Sequence, residues 1–206
     1  MATDATRAGL VDAATRAFAE DGVATASLVE ITRQAGQRNR GAVQYHFGGR
    51  EGLLVAVLDQ HADFLARREG ELLAVARTRP PDDLPSVVEA IVRPAVELAE
   101  SGWRGRCYLA ILGELVEQDP ATLSPEVAAA LARTGGYEVY ALLAERVPAY
   151  DEELRTERFS LLTSFVLGTV ARRARGGEDG RPQLPLERFV DNLVDLGTAM
   201  VVARAR

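Results

Sequence analysis

Apolar residues three and four positions apart recur along this chain from end to end, with no strand-like alternation between them. The clearest run is Leu54, Leu58, His61, Leu65 and Leu72, one stripe along a helix that opens at Glu51. An earlier face is made by Leu10, Ala14, Ala17 and Phe18, and Gly22 is placed to end that helix. Three prolines in the eight residues TRPPDDLP (78–85) forbid a helix there. The helical pattern then resumes over Val87–Glu100, Arg106–Gln118, Pro125–Arg146, Asp151–Arg175 and Leu186–Arg204, with GGEDGRPQLP separating the last two. The expectation is an all-α chain of about nine helices. It has an N-terminal unit at 1–50, a connecting fourth helix at 51–77 and a second helical unit at 78–206.

The stretch SLVEITRQAGQRNRGAVQYHFGGREGLL (27–54) reads as a capped short helix, a glycine turn, a second short helix and the start of a third. Ser27 followed by Glu30 fits a capping box, the hydroxyl taking an orphan N–H and the carboxylate reaching back. Leu28, Ile31 and Ala35 face inward and Gly36 ends the helix. The next helix is expected over Asn39–Phe47, with Val43 and Phe47 buried. Phe18, Leu28, Ile31, Val43, Phe47 and Leu53 would form the small core that fixes the two short helices at a steep angle.

Charge is distributed unevenly here. The formal net charge is −6, and residues 1–60 hold six arginines against seven carboxylates, so the total does not speak for a nucleic-acid partner. Arg33, Arg38, Arg40 and Arg50, however, span a stretch without any carboxylate, a local phosphate-binding surface in an acidic chain. The outer side of the second short helix would present Arg38, Asn39, Arg40, Gln44 and Tyr45. Arginine reads guanine edges and Asn or Gln reads adenine, each worth ~1–3 kcal/mol of discrimination. Gly41 would let the backbone approach a duplex, while Thr25, Ser27 and Arg50 suit phosphates. A solvated arginine face and a protein-interaction module are the competing readings of the same residues.

These residues resemble the tetracycline-repressor family of bacterial transcription regulators. The carriers are AFAEDGVATASLVEITRQAG and AVQYHFGGREGLL, in which Phe18, Gly22, Ser27, Ala35–Gly36, Val43, His46–Phe47, Arg50–Glu51 and Leu53 fall on the family pattern in order. Gln44 stands where the family has a tyrosine, and one extra residue lies between Gly36 and His46. The resemblance implies a helix-turn-helix that binds double-stranded DNA through Thr25, Ser27, Arg38, Asn39, Arg40, Gly41, Gln44, Tyr45, His46 and Arg50. It further implies a ligand-responsive repressor that meets a palindromic operator as a homodimer.

For the second unit, the family implies dimerisation and a small-molecule effector. Phe159, Leu162, Val166, Thr169 and Arg173 line one helix, and Leu186, Phe189, Leu193, Leu196, Gly197 and Met200 line the last. Helices 151–175 and 186–204 of two subunits can pack as a four-helix bundle, or each face can bury within its own chain. Trp103, Cys107 and Tyr108, with Tyr137, Tyr140 and Phe165, are candidates to line an apolar pocket. His61, on the stripe of the fourth helix, is either a core histidine or a ligand contact. The scarcity of charged inward positions points to an apolar effector.

One cysteine and two histidines leave neither a disulfide nor a multi-cysteine metal site, so neither a metal nor a cofactor is expected. No phosphate-cradling loop, dinucleotide fingerprint or nucleophile elbow is present, and an enzyme is not expected. MATDATRAG lacks the pattern of a signal peptide, and no window nears the ~18 apolar residues of a membrane span, so the expected location is cytoplasmic. A helical adaptor and a thiol-based sensor using Cys107 are the alternative functions.

Overall fold

The computed structural model describes residues 2–118, 122–178 and 182–203, and every regular element of substance in them is α-helical. There are ten: α1 (Ala2–Asp21), α2 (Leu28–Gln34), α3 (Ala42–Phe47), α4 (Arg50–Ala76) and α5 (Pro85–Glu100), then α6 (Trp103–Val116), α7 (Pro125–Arg133), α8 (Tyr137–Arg146), α9 (Glu152–Glu178) and α10 (Leu186–Val202).

The tenth helix corrects the expected nine. Pro125–Arg146 is not continuous, because Gly135 and Gly136 take φ of 94° and 80° and break it into α7 and α8. Left-handed backbone of this kind costs little only at glycine. Ser124 caps α7, its hydroxyl accepting from Val127 N at 3.4 Å. The helix before the last glycine-rich loop runs three residues past Arg175, to Glu178. Residue 204, expected in the final helix, lies outside the described residues.

α4 is the structural axis. Its stripe is wider than the sequence pattern implied, because Leu53, Val57, Ala62, Leu73 and Ala76 are buried beside Leu54, Leu58 and Leu65. Its first turns pack against α1 and α3, and its length against α5 and α7. The expected small core is present: Phe18, Ile31, Val43 and Leu53 are buried, with Leu28 and Phe47 half-buried against them. Each such side chain contributes roughly 1.5–3 kcal/mol by leaving water. This core is not isolated. It continues through α1, α4 and α6 into Tyr108, Leu109 and Leu115.

Most of the apolar positions on α9 and α10 turn inward. Leu162, Val166, Phe189 and Leu193 are buried within the chain, and Gly197 sits under Leu162 and Val88 with no room for a side chain. Arg173 lies over the Phe189 ring, 4.5 Å from its centroid, and donates to the Leu184 carbonyl. What remains outward includes Leu161 (50% exposed), Gly168, Leu186 (37% exposed) and Leu196 (46% exposed). Among the described residues no helix is long and apolar enough to cross a membrane.

Candidate nucleic-acid interface

The turn from α1 into α2 is held by hydrogen bonds. The Thr25 hydroxyl donates to the Asp21 carbonyl, and the Ser27 hydroxyl accepts from Glu30 N at 3.3 Å. Only half of the expected capping box forms. The Glu30 carboxylate turns away from the cap and accepts from Arg33 Nε (2.8 Å), Arg33 Nη2 (2.6 Å) and Gln34 Nε2 (3.0 Å). Those bonds, from Arg33 first, hold the Glu30 carboxyl down to about 2.

α2 ends in a Schellman arrangement. Gln37 N donates to Thr32 O and Gly36 N to Arg33 O, both at 3.0 Å, which needs the φ of 71° at Gly36. The third helix is shorter than expected, starting at Ala42 rather than Asn39. Asn39 Oδ1 accepts from Gly41 N at 2.9 Å, an Asx turn that delivers Gly41 as the N-cap. Bidentate reading of adenine by Asn39 would have to break that turn.

α3 buries Ala42 and Val43, which aims its opposite side outward. Tyr45 is 81% exposed, Gln44 is exposed beside it, and His46 is half-buried with its ring edge-on to Tyr45 at 4.9 Å. Arg38 and Arg40 are exposed in the connecting turn, with no ion pair to either among the described residues. The surface therefore has fewer open cations than the four the sequence counted. Arg33 is paired with Glu30, and Arg50 is half-buried, donating from Nη1 to the Val23 carbonyl at 2.7 Å. The same Val23 residue donates its N–H to both oxygens of Glu114 on α6, at 3.0 and 3.1 Å. Arg7 on α1, which the sequence pattern did not single out, lies over the Phe47 ring at 5.1 Å and adds a cation beside α3.

The other expected site residues separate. On α6, Trp103, Cys107 and Ala110 share one face and line a cleft against α1 and α9, with Arg16 and Arg175. Arg16 and Arg104 lie over the Trp103 ring at 3.7 and 4.7 Å. Leu109, Leu112 and Val116, on another face of α6, line a different cavity of about 200 Å³ bordered by α4–α9. None of His61, Trp103, Cys107, Tyr108, Tyr137 or Phe165 borders it. Tyr108 is buried, donating to the Leu58 carbonyl at 3.2 Å with its ring 5.0 Å from His61. Burial lowers the His61 pKa, and its Nε2 has no hydrogen-bond partner among the described residues. Phe165 is half-buried and Tyr137 is 86% exposed. Tyr140 does border the cavity.

The wall of that cavity also carries a charge that sequence spacing did not place there. Glu69 borders it and accepts from Gly136 N. Its carboxyl is pushed up to about 7 by burial, which the Gly136 hydrogen bond only partly offsets.

Comparison with known proteins matches both halves of the chain. The model for bacterial regulatory proteins of the tetR family covers residues 10–57, and that for the tetracyclin repressor-like C-terminal domain covers 89–200. Two regulators of Pseudomonas putida are similar in sequence: the HTH-type transcriptional regulator TtgR and the probable HTH-type transcriptional regulator ArpR. Each is 43% identical over 65 residues, which is 30% of this chain and 30% of the relative. In fold, a transcriptional regulator from Rhodococcus sp. Rha1 is similar over 95% of both chains, with a TM-score of 0.56 and 21% identity.

Proposed function

Since the chain belongs to the tetracycline-repressor family of bacterial regulators, we propose that it is a ligand-responsive transcriptional repressor that binds a near-palindromic operator as a homodimer. The observation that carries this reading is the outward side of the α2–α3 unit. Arg38, Arg40, Gln44 and Tyr45 are exposed there together, while Ala42 and Val43 anchor the helix from behind. Residues 1–50 act as the reading head. Arg38, Arg40 and Gln44 meet base edges, and Thr25, Ser27, Gly41, Tyr45, His46 and Arg50 approach the phosphates. Asn39 serves the turn more than the bases.

Two heads must be spaced by a dimer, and the outward Leu161, Gly168 and Leu196 face of α9 and α10 supports that contact. The effector belongs in the cavity behind α4 and α6. Both helices border the cavity and both touch the head, α4 through α3 and α6 through Glu114 and Val23. A ligand that prefers one setting of these helices shifts the population between DNA-competent and DNA-incompetent states by its difference in affinity.

The test is a gel shift with the DNA upstream of this protein's own gene, repeated across salt concentrations. Specific binding with a steep fall in affinity as salt rises supports the reading. Equal, weak binding to this segment and to control DNA refutes it.

A further inference from the structure

We propose that the cavity bordered by α4–α9 binds a compact hydrophobic amine, its ammonium seated against the Glu69 carboxylate. This rests on the reading that the second helical unit holds the effector. The side-chain hydrogen-bond donors of the wall, and the Gly136 N–H, are already committed. Thr163 Oγ1 donates to the Phe159 carbonyl at 2.8 Å, so its lone pairs receive the Tyr140 hydroxyl proton. The Thr134 hydroxyl donates to the Leu131 carbonyl at 2.7 Å. The Gly136 N–H is taken by Glu69. Each hydroxyl on the wall has spent its proton, and an ionised carboxylate only accepts. No arginine, lysine or histidine lines the cavity among the described residues. The polar side chains thus offer lone pairs and negative charge to whatever enters.

The rest of the lining is apolar, including Leu65, Ile91, Leu109 and Leu167. A neutral hydrocarbon would fit those walls but leave the half-buried Glu69 carboxylate with the Gly136 N–H and no countercharge, which is costly. An anion would meet a carboxylate with no cation to balance it. An ammonium has three donors and no acceptor, the complement of this wall. Its charge also favours ionised Glu69, whose carboxyl is poised at about 7 by burial. The volume of about 200 Å³ sets the scale of the part of the ligand that is buried. Cavities of ~150 Å³ hold a single benzene ring, so a ring with a short amine arm is the scale.

Phenylbutylamine, phenylbutanol and phenylbutyrate share one body and differ in charge, so they are the probes. Each is titrated calorimetrically into the full-length wild type and Glu69→Gln, with circular dichroism recording the fold. The amine should bind wild type about tenfold or more tightly than the alcohol, the scale of one charge-assisted hydrogen bond. Glu69→Gln should erase that preference while leaving the alcohol within about twofold. Ala95→Leu, which takes up cavity volume and keeps the Glu69 carboxylate, should weaken the amine and the alcohol alike. The inference is overturned if phenylbutanol or phenylbutyrate binds wild type as well as the amine. It also falls if Glu69→Gln keeps the amine affinity, or if no probe binds. Ligand-free DNA binding is measured in parallel. Its failure counts against the regulator reading alone, and amine binding that leaves DNA affinity unchanged removes the effector role while the site stands.

Discussion

Replacing Glu114 with alanine asks whether α6 grips the reading head. The Val23 backbone is clamped from both sides, its N–H by the two Glu114 oxygens at 3.0 and 3.1 Å and its carbonyl by Arg50 at 2.7 Å. Val23 is only 7% exposed, so water replaces a lost partner poorly. Hydrogen bonds to charged groups contribute ~1.5–3 kcal/mol, and a buried donor left unsatisfied costs ~1–3 kcal/mol. These two figures describe the same loss and do not add. The partly buried setting therefore leads to an expected destabilisation of about 2 kcal/mol for Glu114→Ala. Glu114→Gln keeps an acceptor but loses the charge, and should cost about half as much. For a chain of this size that corresponds to a fall in melting temperature of roughly 4–8 °C for the alanine variant. Urea denaturation gives the free energies. A cycle with Arg50→Ala should show a coupling above about 0.5 kcal/mol, since both side chains hold one residue's backbone. If Glu114→Ala unfolds with the wild-type midpoint and slope, the clamp contributes nothing and the reasoning fails.

Two glycines on the helical framework should respond to alanine in opposite directions. At Gly70, on α4 with nothing within 4 Å of an added Cβ, alanine should stabilise by about 0.5–1 kcal/mol. At Gly197 the Cβ would sit 2.8 Å from Leu162 Cδ1 and 3.0 Å from Val88 Cγ1, and urea melts should show a cost of about 1–3 kcal/mol. Glu69 makes stability depend on pH, because the folded chain holds its proton at about 7 against an ordinary 4.5. Its contribution is complete below the lower value and is lost as pH rises through the upper one. In thermal melts, Glu69→Gln should therefore exceed wild type above about pH 8 and converge with it near pH 5. Arg38→Ala and Arg40→Ala should each weaken operator binding by about 1–3 kcal/mol and relax specificity at one base pair, as loss of a base-edge contact does. Unchanged operator affinity by fluorescence anisotropy would remove that arginine from the interface.

The reading head was legible because its determinants are local. Ser27, Gly36 and the Ile31/Val43 anchors act on neighbours a few residues away, and the structure places each as its spacing implied. The errors in the head were local too. Glu30 had a better partner in Arg33 than the cap, and Asn39 spent its side chain on the turn before α3. The break at Gly135–Gly136 was visible in the sequence, but the apolar spacing on either side concealed it. The cavity was not legible, since which face of α6 meets which neighbour depends on the rotation of six packed helices. Trp103 and Cys107 drew attention by residue type, while Glu69, in the charged run ARREGE, had the pattern of a solvated helix face. The Glu114–Val23 contact joins residues 91 apart, a distance over which spacing carries no information.

The central claim is that the α2–α3 surface reads a specific, two-fold symmetric DNA sequence. Its most direct test is to recover and sequence the genomic fragments bound by the purified full-length protein, alongside an Arg38→Ala/Arg40→Ala variant that keeps the fold by circular dichroism. The account predicts enrichment of one near-palindromic motif, with half-sites separated by about one turn of the duplex or a multiple of it, and its loss in the variant. Fragments no different from bulk DNA, or a motif retained unchanged by the variant, would contradict it.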